Sequence, residues 1–168
     1  MTISEEQLFQ TCIEFLKSIG IPTAFRTLHE TCFLPGLAIE DGTIFIDKDE
    51  VQFPGDILHE AGHLAVIPTP DRRVANAEAF ALRPDREAEE MMAIAWSYAA
   101  CVHLGLNPSF VFHDDGYKGG GSYIAENFRN KQYFGLPMLQ WVGLAYDEAN
   151  AAKNGSKPYP AMIKWLRD

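Results

Sequence analysis

Basic residues and cysteines are both scarce in this sequence. Lys and Arg number 14 against 23 Asp and Glu, which gives a formal net charge of −9, and no run of basic residues occurs. This charge argues against broad electrostatic binding to nucleic acid or to an anionic membrane. The three cysteines, Cys12, Cys32 and Cys101, are scattered without CxxC spacing. We therefore expect buried free thiols in a reducing compartment, and neither a disulfide framework nor a thiolate zinc site.

Signals for secretion and for membrane insertion are also lacking. Residues 1–20 have no basic start followed by an apolar segment, as a signal peptide would. The most apolar stretch, residues 91–106, contains Ser97 and His103 and is short for a membrane span. The sequence therefore predicts a cytoplasmic protein with no membrane partner.

Length and composition favour one folded domain over residues 1–168. A chain of 168 residues with 47% hydrophobic residues can bury a substantial core, whereas two domains would be cramped. Three tryptophans, Trp96, Trp141 and Trp165, are expected to pack in that core.

The hydrophobic pattern predicts an α+β fold that is dominated by helices, with a small antiparallel or mixed sheet ahead of the helix that contains residues 59–63. Helices are predicted over residues 4–19, 54–67, 85–104, 123–129, 138–150 and 159–166, with a short one around 74–82 in a proline-rich connector. Strands are predicted over residues 37–39 and 43–46, joined at Asp41-Gly42, and over 23–28 and 109–113. Residues 114–121 are predicted to be a polar, glycine-rich loop.

Residues 59–63 read His-Glu-Ala-Gly-His and contain the chemistry of the chain. Two histidines four residues apart on a helix project from one face and can hold one metal ion. This HExxH pattern is typical of zinc metallopeptidases, in which the glutamate takes a proton from water at the metal. We therefore expect Zn²⁺ bound by His59 and His63, with Glu60 as the general base. An apolar stripe on the opposite side of the helix would anchor it in the core; its residues are Ile57, Leu58, Ala61, Leu64 and Ala65.

A catalytic zinc site takes three protein ligands, so a third must follow. A histidine six residues after His63 would be one solution, but that position is Thr69. A cluster of acids opens the next long helix, and Glu90 is preferred among them. It begins a small, mostly apolar face with Ala93 and Ser97 that can pack closely on the motif helix.

Other acids near this position are alternatives. Glu87 lies one turn before Glu90 on nearly the same face. It is the first alternative as a ligand, or it could be a hydrogen-bond partner for a ligating histidine. Glu89 points about 100° away from Glu90 on an ideal helix, so we expect it to be solvated. Asp71 is interpreted as a solvated turn residue. An acidic first turn that complements the helix dipole would also explain the cluster without a metal.

Residues 35–97 resemble the gluzincin group of metallopeptidases, and most closely its ImmA/IrrE-type branch. The matching elements are the strand pair, the HExxH helix and the pattern Glu90-x-x-Ala93-x-x-Trp96, which is similar to that family's E-x-x-A-x-x-F. The resemblance implies a zincin-like domain with the three ligands and the general base named above. The continuation Ser97-Tyr98-Ala99 differs from the family's leucine-rich segment. No helix-turn-helix module is evident, so a role in transcription is not implied.

These residues favour a zinc-dependent peptidase that acts on a peptide or protein substrate. The oxyanion of such a reaction needs a further donor, for which His113, Tyr117 and Tyr123 are candidates, although ordinary packing is the plainer interpretation of each. The strand over residues 43–46 is a hypothetical edge for binding an extended peptide. A zincin-fold sensor or interaction module with little hydrolysis is the first alternative, and a helical domain with an accidental motif is the second. The substrate and the oligomeric state stay open.

Overall fold

The computed structural model describes residues 4–29 and 32–168. It confirms an α+β fold in which helices dominate and a small mixed sheet precedes the motif helix. The helices are α1 (Glu5–Ile19), α2 (Asp56–Val66), α3 (Thr69–Arg72), α4 (Ala77–Ala81), α5 (Arg86–Leu104), α6 (Gly121–Arg129), α7 (Leu136–Trp141) and α8 (Glu148–Asn154). The strands are β1 (Thr23–Phe25), β2 (Leu37–Glu40) and β3 (Thr43–Ile46).

Helix α1 begins with a capping box. The hydroxyl of Ser4 accepts a hydrogen bond from the backbone amide of Gln7, and the Gln7 side chain accepts one from the amide of Ser4. Gly20 ends the helix with a φ of 93°, a left-handed conformation that glycine adopts without strain. Both ends of α1 are therefore set by local sequence.

Strand β3 is the central strand of the sheet. It pairs antiparallel with β2 and parallel with β1. Asp41 and Gly42, with φ values of 46° and 71°, form the two-residue turn between β2 and β3 that the sequence predicted. The assignment of the free edge to residues 43–46 is wrong, because β3 is paired on both sides and β2 is an edge strand instead.

Helices α2 and α5 pack against each other in the core. All five residues of the predicted apolar stripe of α2 are fully buried. Gly62 permits a close approach, since a Cβ at this position would lie 2.8 Å from the carbonyl oxygen of Ala93. Beside it, the hydroxyl of Ser97 lies 2.7 Å from the carbonyl oxygen of Ala93 and 3.2 Å from that of Leu58. This contact fixes which residues of α5 face the motif.

The connector between α2 and α5 contains two short helices, α3 and α4, where one was predicted. Two further elements, the strand predicted over 109–113 and the helix predicted over 138–150, also differ from the prediction. Residues 109–113 are not a strand, because Pro108–Phe110 is a 3₁₀ turn capped by the side chain of Asn107. The single helix predicted over 138–150 is divided into α7 and α8. Gly143 has a φ of 78° between them, and Asp147 caps the second helix.

The chain after α8 is not helical, so the predicted helix over 159–166 is wrong. Its backbone amides bond to distant carbonyls: Ile163 donates to Leu144 at 2.8 Å, and Arg167 donates to Ala65 at 2.9 Å. The indole N–H of Trp96 donates to the carbonyl of Trp165 at 2.9 Å. The segment therefore bonds to α2, to α5 and to the chain after α7 instead of forming its own helix.

The predicted aromatic core is confirmed in part. Trp96 is fully buried, and Trp165 packs against it, but Trp141 is 90% exposed, contrary to expectation. Cys12 and Cys101 are buried as expected, whereas Cys32 is only half-buried. Among the described residues, no helix is both long enough and apolar enough to cross a bilayer.

Candidate metal centre

Helix α2 presents His59 and His63 from the same face, one turn apart. Their Nε2 atoms lie 3.1 Å from each other. The carboxylate of Glu90 on α5 meets both rings, with Oε1 3.5 Å from Nε2 of His59 and Oε2 3.1 Å from Nε2 of His63. Three groups that can each offer one ligand atom to a metal therefore converge, as the sequence predicted.

The spacing of these donors suits a small divalent cation. With metal–ligand distances of about 2.0–2.1 Å, two ligands of a tetrahedral site lie about 3.3 Å apart. The two histidine nitrogens lie 3.1 Å apart, and each has one oxygen of the Glu90 carboxylate nearby, Oε1 at 3.5 Å from His59 and Oε2 at 3.1 Å from His63. Two imidazole nitrogens and one carboxylate oxygen also match a donor set that zinc accepts. The cluster of His59, His63 and Glu90 could thus hold a metal ion.

The electrostatics of the cluster depend on burial and on these contacts. Burial, aided by the neighbouring His63, lowers the pKa of His59 to about 3 against the opposing charge of Glu90. Burial also acts to lower the pKa of His63, but its hydrogen bond with Glu90 and the nearby carboxylates raise that pKa overall. Burial acts to raise the pKa of Glu90, yet its contacts with the two histidines lower it. His59 is therefore neutral and Glu90 ionised, as metal ligation requires of both.

Glu60 follows the candidate ligand His59 on α2 and is half-buried. Burial raises its pKa, His63 opposes this shift, and the charges of Asp56 and Glu90 add to it. Glu60 also lines a cavity of about 300 Å³ that is bordered by β2 and by Phe80 of α4. The carboxylate of Glu60 therefore borders an open space that β2 also lines.

The remaining acids of the predicted cluster do not join these donors. Glu87 is exposed. Glu89 is only 5% exposed, so the expectation that it is solvated is wrong. Its two carboxylate oxygens bind the Arg83 guanidinium at 2.6 and 2.7 Å, and the same guanidinium contacts Asp71 at 2.9 Å. Asp71 is therefore in an ion pair rather than a free turn residue. Through these ion pairs, Arg83 joins the connector that contains α3 and α4 to the first turn of α5.

The three candidate oxyanion donors have different surroundings, and Tyr117 packs against a candidate ligand. The Nε2 atom of His113 is 2.7 Å from Oδ1 of Asp56, and its ring stacks on Phe53. The ring of Tyr117 packs edge-on against His59, with centroids 5.4 Å apart. Tyr123 is 69% exposed and its ring lies at the surface. His113 is already bound to Asp56 through Nε2, which leaves Tyr117 as the stronger candidate.

The hydroxyl of Tyr117 is buried and has no hydrogen-bond partner among the described residues. Burial, with the charges of Asp56 and Glu90, raises the pKa of Tyr117 well above its usual value, so the hydroxyl keeps its proton. Tyr117 and Lys118 have φ values of 54° and 56°, which strain a residue that has a Cβ. Strain, burial and an unused donor thus coincide next to a candidate ligand.

Sequence reasoning missed three features of this region. Asp56 pairs with His113, which lies 57 positions later in the sequence, and no local pattern indicates such a pair. Arg83 comes from an irregular connector, so no periodicity could assign it to Glu89. Phe80, whose ring lies 5.6 Å from that of His63, is on a helix of only five residues. Two arginines, Arg83 and Arg86, precede the adjacent glutamates of α5, so the sequence did not indicate which of them pairs with Glu89.

Comparison of the chain with protein-family models, with curated proteins and with solved structures gave no significant match. The resemblance to gluzincins therefore depends on the motif residues and on their geometry. The two other histidines outside the region do not contribute: His103 packs against Phe15 and Trp165, and His29 is exposed.

Proposed function

We propose that this protein is a zinc-dependent peptidase in which His59, His63 and Glu90 hold the metal. The observation that carries the proposal is the convergence of the two histidine Nε2 atoms, 3.1 Å apart, with the carboxylate of Glu90, whose two oxygens lie 3.5 Å from His59 and 3.1 Å from His63. These separations are close to the edges of a tetrahedral site. Glu60 at the adjacent cavity supports a catalytic rather than a purely structural site, because a structural site does not need an extra base.

Zinc held by these ligands would polarise a substrate carbonyl and lower the pKa of water to about 7. Glu60 accepts the proton of the attacking water and delivers it to the leaving amine. The hydroxyl of Tyr117 donates a hydrogen bond to the carbonyl oxygen as negative charge develops on it. In this mechanism the two histidines and Glu90 hold the metal, Glu60 transfers the proton and Tyr117 stabilises the developing charge.

Strand β2 is our proposed site for an extended peptide substrate. Its residues Leu37, Ala38, Ile39 and Glu40 line the cavity that Glu60 also borders. A peptide added to this edge strand would gain backbone hydrogen bonds and would run past the metal ligands. This replaces the sequence hypothesis for β3, which has no free edge.

Metal content and peptide hydrolysis, measured on the same preparations, test the proposal. The native protein is expected to bind one zinc and to cleave peptides from a random mixture. His59→Ala removes a ligand and should lose both zinc and activity. Glu60→Gln keeps the ligands and should keep zinc while turnover falls by about 10²-fold or more.

The other outcomes are equally informative. Zinc binding in the native protein without hydrolysis of any peptide would favour a sensor or interaction module built on the same site. Absence of bound zinc in the native protein would mean that the motif is accidental. Glu90→Gln and Glu87→Gln form a matched pair on α5, and only the first is expected to weaken zinc binding.

A further inference from the structure

A second cavity, of about 530 Å³, opens at the candidate metal centre. His63 and Glu90 are part of its lining, so any molecule held at the metal borders this space. Phe80 lies in the wall of this cavity and of the cavity along β2. A substrate chain that crosses the centre therefore passes from one cavity to the other around a single aromatic ring.

The surface exposed in this second cavity is mostly apolar, although five of its eight lining residues have ionisable side chains. Phe80, Ala81 and Met91 supply its uncharged side chains. The charged groups in the wall are largely engaged elsewhere. Both carboxylate oxygens of Glu89 bind Arg83, and the guanidinium of Arg86 donates to the carbonyl of Ala81 at 3.2 Å.

The remaining charges give little reason to expect a charged occupant. Glu90 belongs to the metal centre and pairs with the two histidines. Glu87 is exposed and lies next to the opposite charge of Arg86 in the chain. A concave, apolar space with a few fixed polar groups at one end is the usual form of a pocket that selects an apolar group.

We propose that this cavity binds a bulky apolar side chain of the substrate, namely leucine, methionine or phenylalanine, at a residue flanking the cleaved bond. The proposal depends on the peptidase function above and adds the specificity of that same site. Met91 and Phe80 are the specificity-determining residues, because both line this cavity, the Phe80 ring lies 5.6 Å from that of His63, and Met91 directly follows Glu90 in the chain.

The preference should be large enough to measure. Each additional methylene buried in an apolar pocket favours binding by about fourfold, and leucine has three more carbons than alanine. A leucine at the flanking position should therefore exceed an alanine by about 10- to 100-fold in kcat/KM. Aspartate at that position should be cleaved least.

The first experiment uses the zinc-loaded native protein and a random peptide mixture, with cleavage sites read by mass spectrometry. Enrichment of bulky apolar residues at one flanking position is the expected result. Defined peptides that differ only at that position then give kcat/KM, and the Glu60→Gln variant gives Kd for the same peptides by fluorescence anisotropy. Binding and turnover should rank the side chains in the same order.

A matched pair of variants on α5 tests the assignment of the pocket. Met91 is 38% exposed and Val102, three turns later on the same helix, is 45% exposed. Met91→Glu should lose the apolar preference and bind lysine-containing peptides better, whereas Val102→Glu should retain the native preference. Met91→Ala adds no charge and should shift the preference towards larger side chains, which keeps the test valid if the glutamate variant fails to fold.

The two proposals fail in different ways. Peptide cleavage with no side-chain preference, or a preference that Met91→Glu leaves intact, would overturn the pocket and leave the peptidase standing. A zinc-loaded native protein that cleaves no peptide would overturn both.

Discussion

At the scale of single residues, Tyr117 is the side chain whose state most needs explanation. Its hydroxyl is buried and unpaired among the described residues, next to the ring of His59. A buried hydroxyl without a partner costs about 1–3 kcal/mol, and the positive φ adds strain of about 1–3 kcal/mol. A role of the Tyr117 hydroxyl as a hydrogen-bond donor to a substrate oxygen would explain both the unpaired hydroxyl and the strained backbone.

Replacement of this tyrosine separates function from stability. Tyr117→Phe should lower kcat by about 10²-fold or more, because it removes one donor to the developing oxyanion. Zinc content should not change. The free energy of unfolding should stay the same or rise by about 1 kcal/mol, since the variant no longer buries an unpaired hydroxyl. Steady-state kinetics and thermal unfolding on one preparation check all three.

Tyr123→Phe is the matched control for that substitution. Tyr123 lies six positions later in the chain and is 69% exposed, so its hydroxyl should be dispensable. Native activity in Tyr117→Phe, or an equal loss in the control, would contradict the proposed role of Tyr117.

Helical periodicity is sufficient to select Glu90 but not to describe its neighbours. A period of 3.6 residues places Glu90 on the face of Ala93 and Ser97, and that face does meet α2. The same rule placed Glu89 in solvent, because rotation about an ideal helix says nothing about Arg83 in the preceding connector. Residue roles that depend on one regular element could be predicted, while those that join two segments could not.

At the scale of elements, the contact between α2 and α5 determines the geometry of the candidate metal centre. Gly62 lies inside the motif, and a Cβ there would come within 2.8 Å of a backbone oxygen of α5. Glu90 precedes this contact by one turn, so the separation of the two helices sets the distance from its carboxylate to the histidines.

The substitution Gly62→Ala places two effects in opposition. Alanine favours a helix interior over glycine by about 0.8–1.0 kcal/mol, which would stabilise α2 on its own. The clash with the Ala93 carbonyl forces the helices apart, and overpacking of this kind costs about 1–3 kcal/mol. We therefore expect a net loss of stability and a weaker zinc affinity, measured by chemical unfolding and by zinc titration. A variant more stable than the native protein, with unchanged zinc affinity, would refute the close-approach argument.

The elements that could be predicted are those with local signals. The capping box of α1, the Asp41-Gly42 turn and the apolar stripe of α2 each occupy a short stretch of sequence. The C-terminal segment has an amphipathic appearance but bonds to Leu144 and Ala65, far away in the chain. Long-range backbone pairing of this kind leaves no periodic signature, which is why a helix was wrongly expected there.

At the scale of the whole molecule, the fold does not depend on a metal for its core. The buried hydrophobic cluster draws on residues from α1 through to Tyr159, and the three candidate ligands lie at its margin. Removal of zinc should therefore lower stability without unfolding the chain.

The size of that effect follows from linkage. Zinc present at a thousand times its Kd should stabilise the native state by about 4 kcal/mol relative to the zinc-free protein. Differential scanning calorimetry with and without a chelator should show a lower Tm for the stripped protein and recovery on addition of zinc. His59→Ala should show no zinc-dependent change. An equal shift in that variant would place the bound zinc elsewhere.

The most direct test of the central claim is X-ray absorption spectroscopy at the zinc edge on the purified, zinc-loaded protein. The account predicts one zinc per chain with a shell of nitrogen and oxygen at about 2.0–2.2 Å, imidazole scattering from two histidines, and loss of site-specific zinc in Glu90→Gln. A sulfur shell at about 2.3 Å, or zinc binding that does not depend on Glu90, would contradict it.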